Sequence, residues 1–343
     1  MKKKKFTPSH VKVLDSPPML IICVVLVVAL YIGCFTGLIS NKTMRYLVQI
    51  FLYITMGEMW NLLSGYAGMT SLGQQLYIGL AGYSIAMATS PKFGLPLFGA
   101  LLLGAGICVV VSLFMSLILF RLEGMYFSIA TLVAAEAFSM WFFSWDFVGK
   151  GAGLTIRVSP YPKIQEICVL ALTICVVALV LVYCLLRTRV GLGLTAMRDD
   201  ITAASSVGVN IFSHKLLVYV IAAFFIALSG GIFFVNKGTI YPDSGFDISW
   251  TISMVFIAII GGTGTMSGPI IGAIIYVFLN EKLADFPGWS NIILGAITIL
   301  VILFLPNGIM GTLQKKLHFE IFSSKRFSFK LKKPSKASEK PSA

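Results

Sequence analysis

Few residues of this chain have the types and spacing to do chemistry, and most sit where polarity is expensive. Glu58 and Glu136 interrupt long apolar stretches. An ionisable group inside such a stretch faces a bundle interior or polar cavity, or else pairs or snorkels as a structural carboxylate. Ser64, Tyr66, Ser71, Gln74, Gln75 and Tyr77 form a denser polar run, punctuated by Gly65 and Gly68. Hydroxyls and amides donate and accept without fixed charge, which suits a neutral or zwitterionic solute in passage. The spacing Gly65-x-x-Gly68-x-x-Ser71 returns as Gly261-x-x-Gly264-x-x-Ser267. Small residues admit close helix approach, and beside polar groups they fit unwound helices at a substrate route. Ser64, Gly65, Tyr66, Gly68, Ser71, Gln74, Gln75, Gly261, Gly264 and Ser267 are therefore the candidate pathway residues. Each glycine alone is equally ordinary packing.

A third cluster lies in RTRVGLGLTAMRDDITAASSVGVNIFSHKL, around residues 188–214. The pattern predicts a short helix from Thr195 to Val207, ended by Gly208. Ala196, Ala203 and Ala204 would give it a small-residue face, with Arg198, Asp199 and Asp200 displayed outward. A hydrophilic helix of this kind, parallel to a membrane, can dock into another protein and turn its movement into rigid-body movement of the flanking spans. A plain polar connection is the alternative.

Catalytic readings find little support. Gly261–Gly272 looks like a phosphate loop, but it lacks the Gly-Lys-Ser/Thr that would hold phosphates and magnesium. VGKGAG fails because Gly151 follows Lys150. Cys23, Cys34, Cys108, Cys168, Cys175 and Cys184 fall in apolar runs without metal spacing and read as packing residues. His10, His214 and His318 are scattered. No nucleophile–base pair suggests an enzyme, so neither cofactor nor metal is expected in this chain.

The elements that must position these groups follow from composition. Of 343 residues, 57% are hydrophobic and 12% charged, about half the charged share of a soluble domain. Such a chain cannot cover itself with charge, and the expected fold class is an all-α polytopic membrane protein. Stretches able to cross ~30 Å of hydrocarbon fall near 19–39, 44–63, 95–119, 124–144, 166–187, 215–235 and 290–306, with shorter ones near 71–90, 249–261 and 268–280. Ten transmembrane helices follow, or eight with 249–280 forming a re-entrant segment. The formal charge is +13; residues 1–18 carry +4 and residues 311–343 carry +7. Both ends border apolar spans, which places them inside the cell and against the lipid bilayer's anionic headgroups rather than on nucleic acid. The organisation is a basic N-terminal segment (1–18), a transmembrane domain (19–310) containing the loop 188–214, and a basic tail (311–343), partly disordered. Lys42 and Arg45 run against the sign rule, since this topology puts them outside.

Taken together, the motifs resemble the integral permease subunits of bacterial ABC importers for branched-chain amino acids, of the longer, second-permease type. The likeness runs from about Tyr46 to Gly311. It is carried by NLLSGYAGMTSLGQQLYIGLAGYSIA, RLEGMYFSIATLVAAE, VGKGAGLTI, GLGLTAMRDDITAASSVGVNIFSHKL, GGTGTMSGPIIGA and LPNGIMG, in that order. Lys150 stands where relatives usually carry a small, glycine-like residue. The resemblance implies a bacterial cell-membrane permease that moves branched-chain or other neutral amino acids. It implies as partners a second permease, two cytoplasmic ATP-binding subunits that hold ATP and Mg, and an extracytoplasmic solute-binding protein. It also implies that residues 195–208 transmit ATP-driven closure. Related permeases carry urea, nucleosides or simple sugars; an ion-coupled secondary transporter is the reading from a different class.

Overall fold

A computed structural model describes residues 12–13, 17–36, 39–91, 93–283, 290–305, 308–317 and 319–320. The expected disorder of the tail falls outside the described residues, as do most of segment 1–18 and most of the loop near 281–289. What is described is almost wholly helical, as composition requires. In chain order the helices are α1 (Pro17–Thr36), α2 (Asn41–Asn61), α3 (Gln75–Ala88), α4 (Leu97–Leu119), α5 (Met125–Ser144), α6 (Ile164–Arg187), α7 (Arg189–Asp199), α8 (Ile201–Ser206), α9 (Ile211–Lys237), α10 (Pro242–Gly245), α11 (Ser249–Gly261), α12 (Gly268–Leu283), α13 (Ser290–Phe304) and α14 (Gly308–Leu317).

Five segments are long and apolar enough to cross a membrane: Leu97–Leu119, Met125–Ser144, Ile164–Arg187, Ile211–Lys237 and Pro242–Gly261. The chain is thus an all-α membrane protein with at least five apolar spans. A helix that is apolar all round must be either lipid-facing or surrounded by others, and burial separates the two cases. About a third of α4 and of α6 is buried, against 67% of α9. The hub is α2, buried without a break from Phe51 to Asn61 and packed on α6, α9, α11 and α12.

Predicted and observed boundaries differ mainly where glycine intervenes. The span expected at 44–63 stops at Asn61 and continues as one wide π-helical turn, Leu62–Tyr66. The span expected at 71–90 shortens to α3. The pair expected at 249–261 and 268–280 forms α11 and α12, which pack on each other. A Cβ placed on Gly272 would lie 2.0 Å from the Ile257 carbonyl oxygen, so only glycine permits that crossing.

The segment 188–214 corrects an expectation. In place of one helix over 195–207, α7 begins at Arg189 and breaks at Asp200, whose backbone is extended (φ −158°, ψ 113°). Asp200 Oδ1 then accepts from the Ala203 N–H at 3.0 Å and caps α8. Asp caps helix starts better than it sits inside them, so the break follows from the Asp199-Asp200 pair. Gly208, in the left-handed region (φ +87°), ends the segment as expected.

At the far end of α9, β2 (Leu154–Thr155) pairs antiparallel with β3 (Thr239–Ile240); they follow, among the described residues, β1 (Lys12–Val13), which pairs parallel with β4 (Phe319–Glu320). The turn leading into β2 explains why a small residue suits position 150. Lys150 takes a positive φ of 51° and is held by Asp146 at 2.7 Å.

Candidate functional site

Two candidate segments that lie far apart in the sequence meet in space. A Cβ on Gly65 would lie 2.3 Å from Asn61 Oδ1 and 2.5 Å from the Gly264 nitrogen. The two glycine motifs therefore touch backbone to backbone, which no side chain at 65 would allow. Asn61, fully buried at the end of α2, clasps the loop between α11 and α12. Its Oδ1 accepts from the Gly264 N–H at 2.8 Å, and its Nδ2 donates to the Thr265 carbonyl at 3.1 Å. One amide side chain thus satisfies two backbone groups that the broken helix leaves open.

The third cluster joins the same point. Arg198, at the end of α7, donates from Nη1 to the Gly65 carbonyl at 2.9 Å. Its Nε and Nη2 donate to Asp199 Oδ1 at 3.2 and 3.1 Å. Arg198 is exposed, as expected, and its guanidinium also reaches across to the π-helical turn. Asp199 remains exposed beside it. The small-residue face is corrected, because the break at Asp200 rotates α8 relative to α7. Ala204 is buried, Ala196 half-buried and Ala203 exposed.

The stretch of chain from Ala67 to Gln74 is held by side chains of α5 and α2. Thr131 Oγ1 on α5 accepts from the Leu72 N–H at 3.0 Å, and Ser128 Oγ donates to the Thr70 carbonyl. Trp60 Nε1 donates to the Ser71 carbonyl at 2.9 Å. Thr251 donates to Gln75 Oε1, fixing the start of α3 to α11. A cavity of about 550 Å³ opens beside this stretch, lined by Gly68, Thr70, Glu123, Ser128, Arg198 and Lys215 among others.

The remaining candidates divide by burial. Gly68 and Thr70 are exposed and Ser64 is half-buried, its Oγ 3.5 Å from Thr70 Oγ1. Tyr66, Ser71, Gln74, Gln75 and Ser267 are buried, as are Gly65 and Gly261. Ser71 Oγ, both amide atoms of Gln74, Gln75 Nε2 and Tyr77 OH are enclosed without a hydrogen-bond partner among the described residues. Buried polar atoms in proteins are nearly always paired, so this run keeps open hydrogen-bonding capacity in the bundle core. Glu58 lies in the bundle interior with both carboxylate oxygens in the same condition. Glu136 does not lie in an interior; it is exposed on α5. Asn61 was not among the candidates, although an amide inside an apolar span next to glycine is a readable signal. Among the described residues no group of His, Cys, Asp and Glu is placed to hold a metal ion.

Comparison with known proteins bears on what this arrangement serves. A family model described as the permease component of branched-chain amino acid transport systems matches residues 42–302. Over 312 residues the chain is 23% identical to the high-affinity branched-chain amino acid transport system permease protein LivM of Escherichia coli, covering 82% of this chain and 72% of that one. It is 28% identical over 127 residues to BraD of Pseudomonas aeruginosa, a protein of the same description, covering 36% of this chain and 41% of that one. It is 30% identical over 143 residues to the ribose import permease protein RbsC of Haemophilus influenzae, covering 39% and 43%. No solved structure matches.

Proposed function

Because the chain belongs to the family of permease components of branched-chain amino acid transport systems, we propose that it forms one side of a solute path whose opening is driven through Arg198. The chain is a multi-pass membrane protein and a permease of an ABC-type amino-acid importer; ATP is hydrolysed in other subunits. The partners in this reading are a second permease, two cytoplasmic ATP-binding subunits and an extracytoplasmic solute-binding protein, in a bacterial cell membrane. The cargo is a branched-chain or other neutral amino acid.

The observation that carries the mechanism is the joint of Arg198, Gly65, Asn61 and Gly264. The exposed residues of α7 and α8 present a surface to an ATP-binding subunit. Displacement of that surface pulls on the Gly65 carbonyl through the Arg198 guanidinium. Gly65 lies in a π-helical turn, a form that recurs at functional sites. Asn61 carries the displacement to the loop between α11 and α12. Two broken helices then move together, while α2 above the joint stays anchored in the bundle. The polar run from Ser71 to Gln75 borders the moving part, which suits it to hydrogen-bond a passing solute.

The ten-span topology with both ends inside fits this placement. Segments 67–74, 189–210 and 262–267 gather around the joint, and alternation of ten spans puts all three on the inner side. The same alternation puts the paired strands β2 and β3 outside. Uptake into proteoliposomes by the complex purified through a tag on this chain tests the whole reading. ATP-dependent accumulation of leucine, isoleucine or valine supports it. Accumulation of ribose or another sugar alone would support the same mechanism with a different cargo, the alternative raised by the likeness to RbsC. Accumulation driven by an ion gradient without ATP would refute it.

A further inference from the structure

Glu136 occupies the eleventh position after Met125 on a 20-residue helix. At 1.5 Å per residue it stands about 16 Å along an axis of about 30 Å, close to mid-membrane. The side chain is exposed, and the residues sharing its face, Val133, Ala137 and Met140, are exposed with it. No ion pair or hydrogen bond holds it among the described residues. Within this chain α5 packs chiefly on α3 and on the outer elements around α10, leaving this face uncovered.

A carboxylate at that depth cannot be left facing hydrocarbon without a large cost. Every other exposed side chain on the central part of this face is apolar or small, so Glu136 alone sets its requirement. Snorkelling does not relieve it, because a glutamate side chain is far shorter than half a bilayer. Glu58, the other intramembrane acid, is sealed on all sides and offers no route to a solute. Glu136 is the opposite case, a carboxylate open to whatever lies beyond α5.

We infer that Glu136 lines a hydrated translocation route between this chain and the second permease, where its carboxylate receives the α-ammonium group of the amino acid in transit. This rests on the importer reading, which supplies both the second wall and the cation. The carboxylate is opposite in sign to the ammonium, and charge-assisted hydrogen bonds are stronger than neutral ones. Ala137 beside it leaves room for the solute. Open amides and hydroxyls elsewhere in the chain carry no charge to favour a cation, whereas the fixed carboxylate of Glu136 gives a preference for ammonium-bearing cargo.

The test uses the complete complex in proteoliposomes, with the six native cysteines replaced in a parent that imports at the native rate. Glu136→Asp should import within about threefold of that parent, and Glu136→Gln and Glu136→Cys at least tenfold more slowly. Complex yield and basal ATP hydrolysis should be unchanged in all three. Treating Glu136→Cys with an anionic sulfonatoethyl thiosulfonate should restore uptake, while a cationic trimethylammonium reagent of similar size should not. Val110→Cys, on the exposed apolar face of α4, should resist both reagents. A thiol in the Glu136→Cys variant that neither reagent reaches, rescue by both reagents alike, or parental uptake by Glu136→Gln would each overturn the inference. If the unmodified complex imports only solutes without an ammonium group, the cargo reading itself fails, and that result is visible before any variant is made.

Discussion

Asn61→Ala is the sharpest perturbation of the joint. It removes both contacts to the loop between α11 and α12 and leaves the Gly264 N–H and the Thr265 carbonyl without their partner. Side-chain hydrogen bonds in membrane proteins average about 0.6 kcal/mol, which sets a floor of about 1 kcal/mol for two. A buried group left unsatisfied costs about 1–3 kcal/mol, but the loop is only part-buried and water can reach it. The expected loss is about 2 kcal/mol. Gly65→Ala attacks the same joint by crowding, with a Cβ 2.5 Å from the Gly264 nitrogen, and overpacking costs about 1–3 kcal/mol. Once Asn61 is gone the loop is free to retreat, so the second change should cost less than it does alone. A double-mutant cycle should therefore show about 1 kcal/mol of non-additivity, in the range seen for contacting residues. Equilibrium unfolding in mixed micelles measures it, with Asn41→Ala, at the exposed start of α2, as the neutral control. Strict additivity, or an Asn61→Ala variant as stable as Asn41→Ala, would show that the two glycine motifs are neighbours without being joined.

Arg198→Ala should lower uptake by at least tenfold while membrane insertion persists, and Arg198→Lys should recover only part, because one ammonium cannot bridge Gly65 and Asp199 as a fork does; normal uptake by Arg198→Ala would remove it from the coupling route. Asp200→Ala deletes the cap on α8 and should cost about 1 kcal/mol, read as faster hydrogen exchange at Ala203, with little change if the cap is idle. Gly272→Ala should destabilise strongly through its contact with Ile257, whereas Gly106→Ala, with open space around it, should be neutral in the same unfolding assay. Lys150→Gly should be neutral or slightly stabilising, since relief of about 1 kcal/mol of left-handed strain outweighs an exposed ion pair worth about 0.5 kcal/mol; clear destabilisation would give the pair with Asp146 a larger role.

Long apolar stretches made the long helices legible from residue types alone, and the short helices α11 and α12 were legible because glycine and polar residues separate them. The break at Asp200 was less so: local helix-forming residues on both sides, Ala196 to Met197 and Thr202 to Ala204, concealed that an aspartate would leave the helix to cap the next. The meeting of Gly65 with Gly264 could be suspected from their matching triplets. Their contact through Asn61 could not, because it depends on how α2 and α11 cross, and that is set by side chains spread over several helices.

The two intramembrane acids show where reading by periodicity stops. An amphipathic helix reveals its inner face by alternating polar and apolar residues with a period of 3.6. Around Glu58 the helix is apolar or small on every side except that of Thr55 and Asn61, and α5 around Glu136 is also apolar or small on nearly every side. Neither sequence carries a stripe long enough to fix an orientation, so the same residue type in the same kind of surroundings admits both a buried and an exposed position. What separates them is how completely each span is enclosed: α6, α9, α11 and α12 bury α2 from Phe51 to Asn61, whereas α3, α4 and α10 cover α5 along one side and leave most of its residues exposed or half-buried. A lone acid on a uniformly apolar helix therefore marks a functional face only after the helix has been placed. Once α5 is placed at the edge of this chain, the cost of its charge becomes information about what must stand next to it.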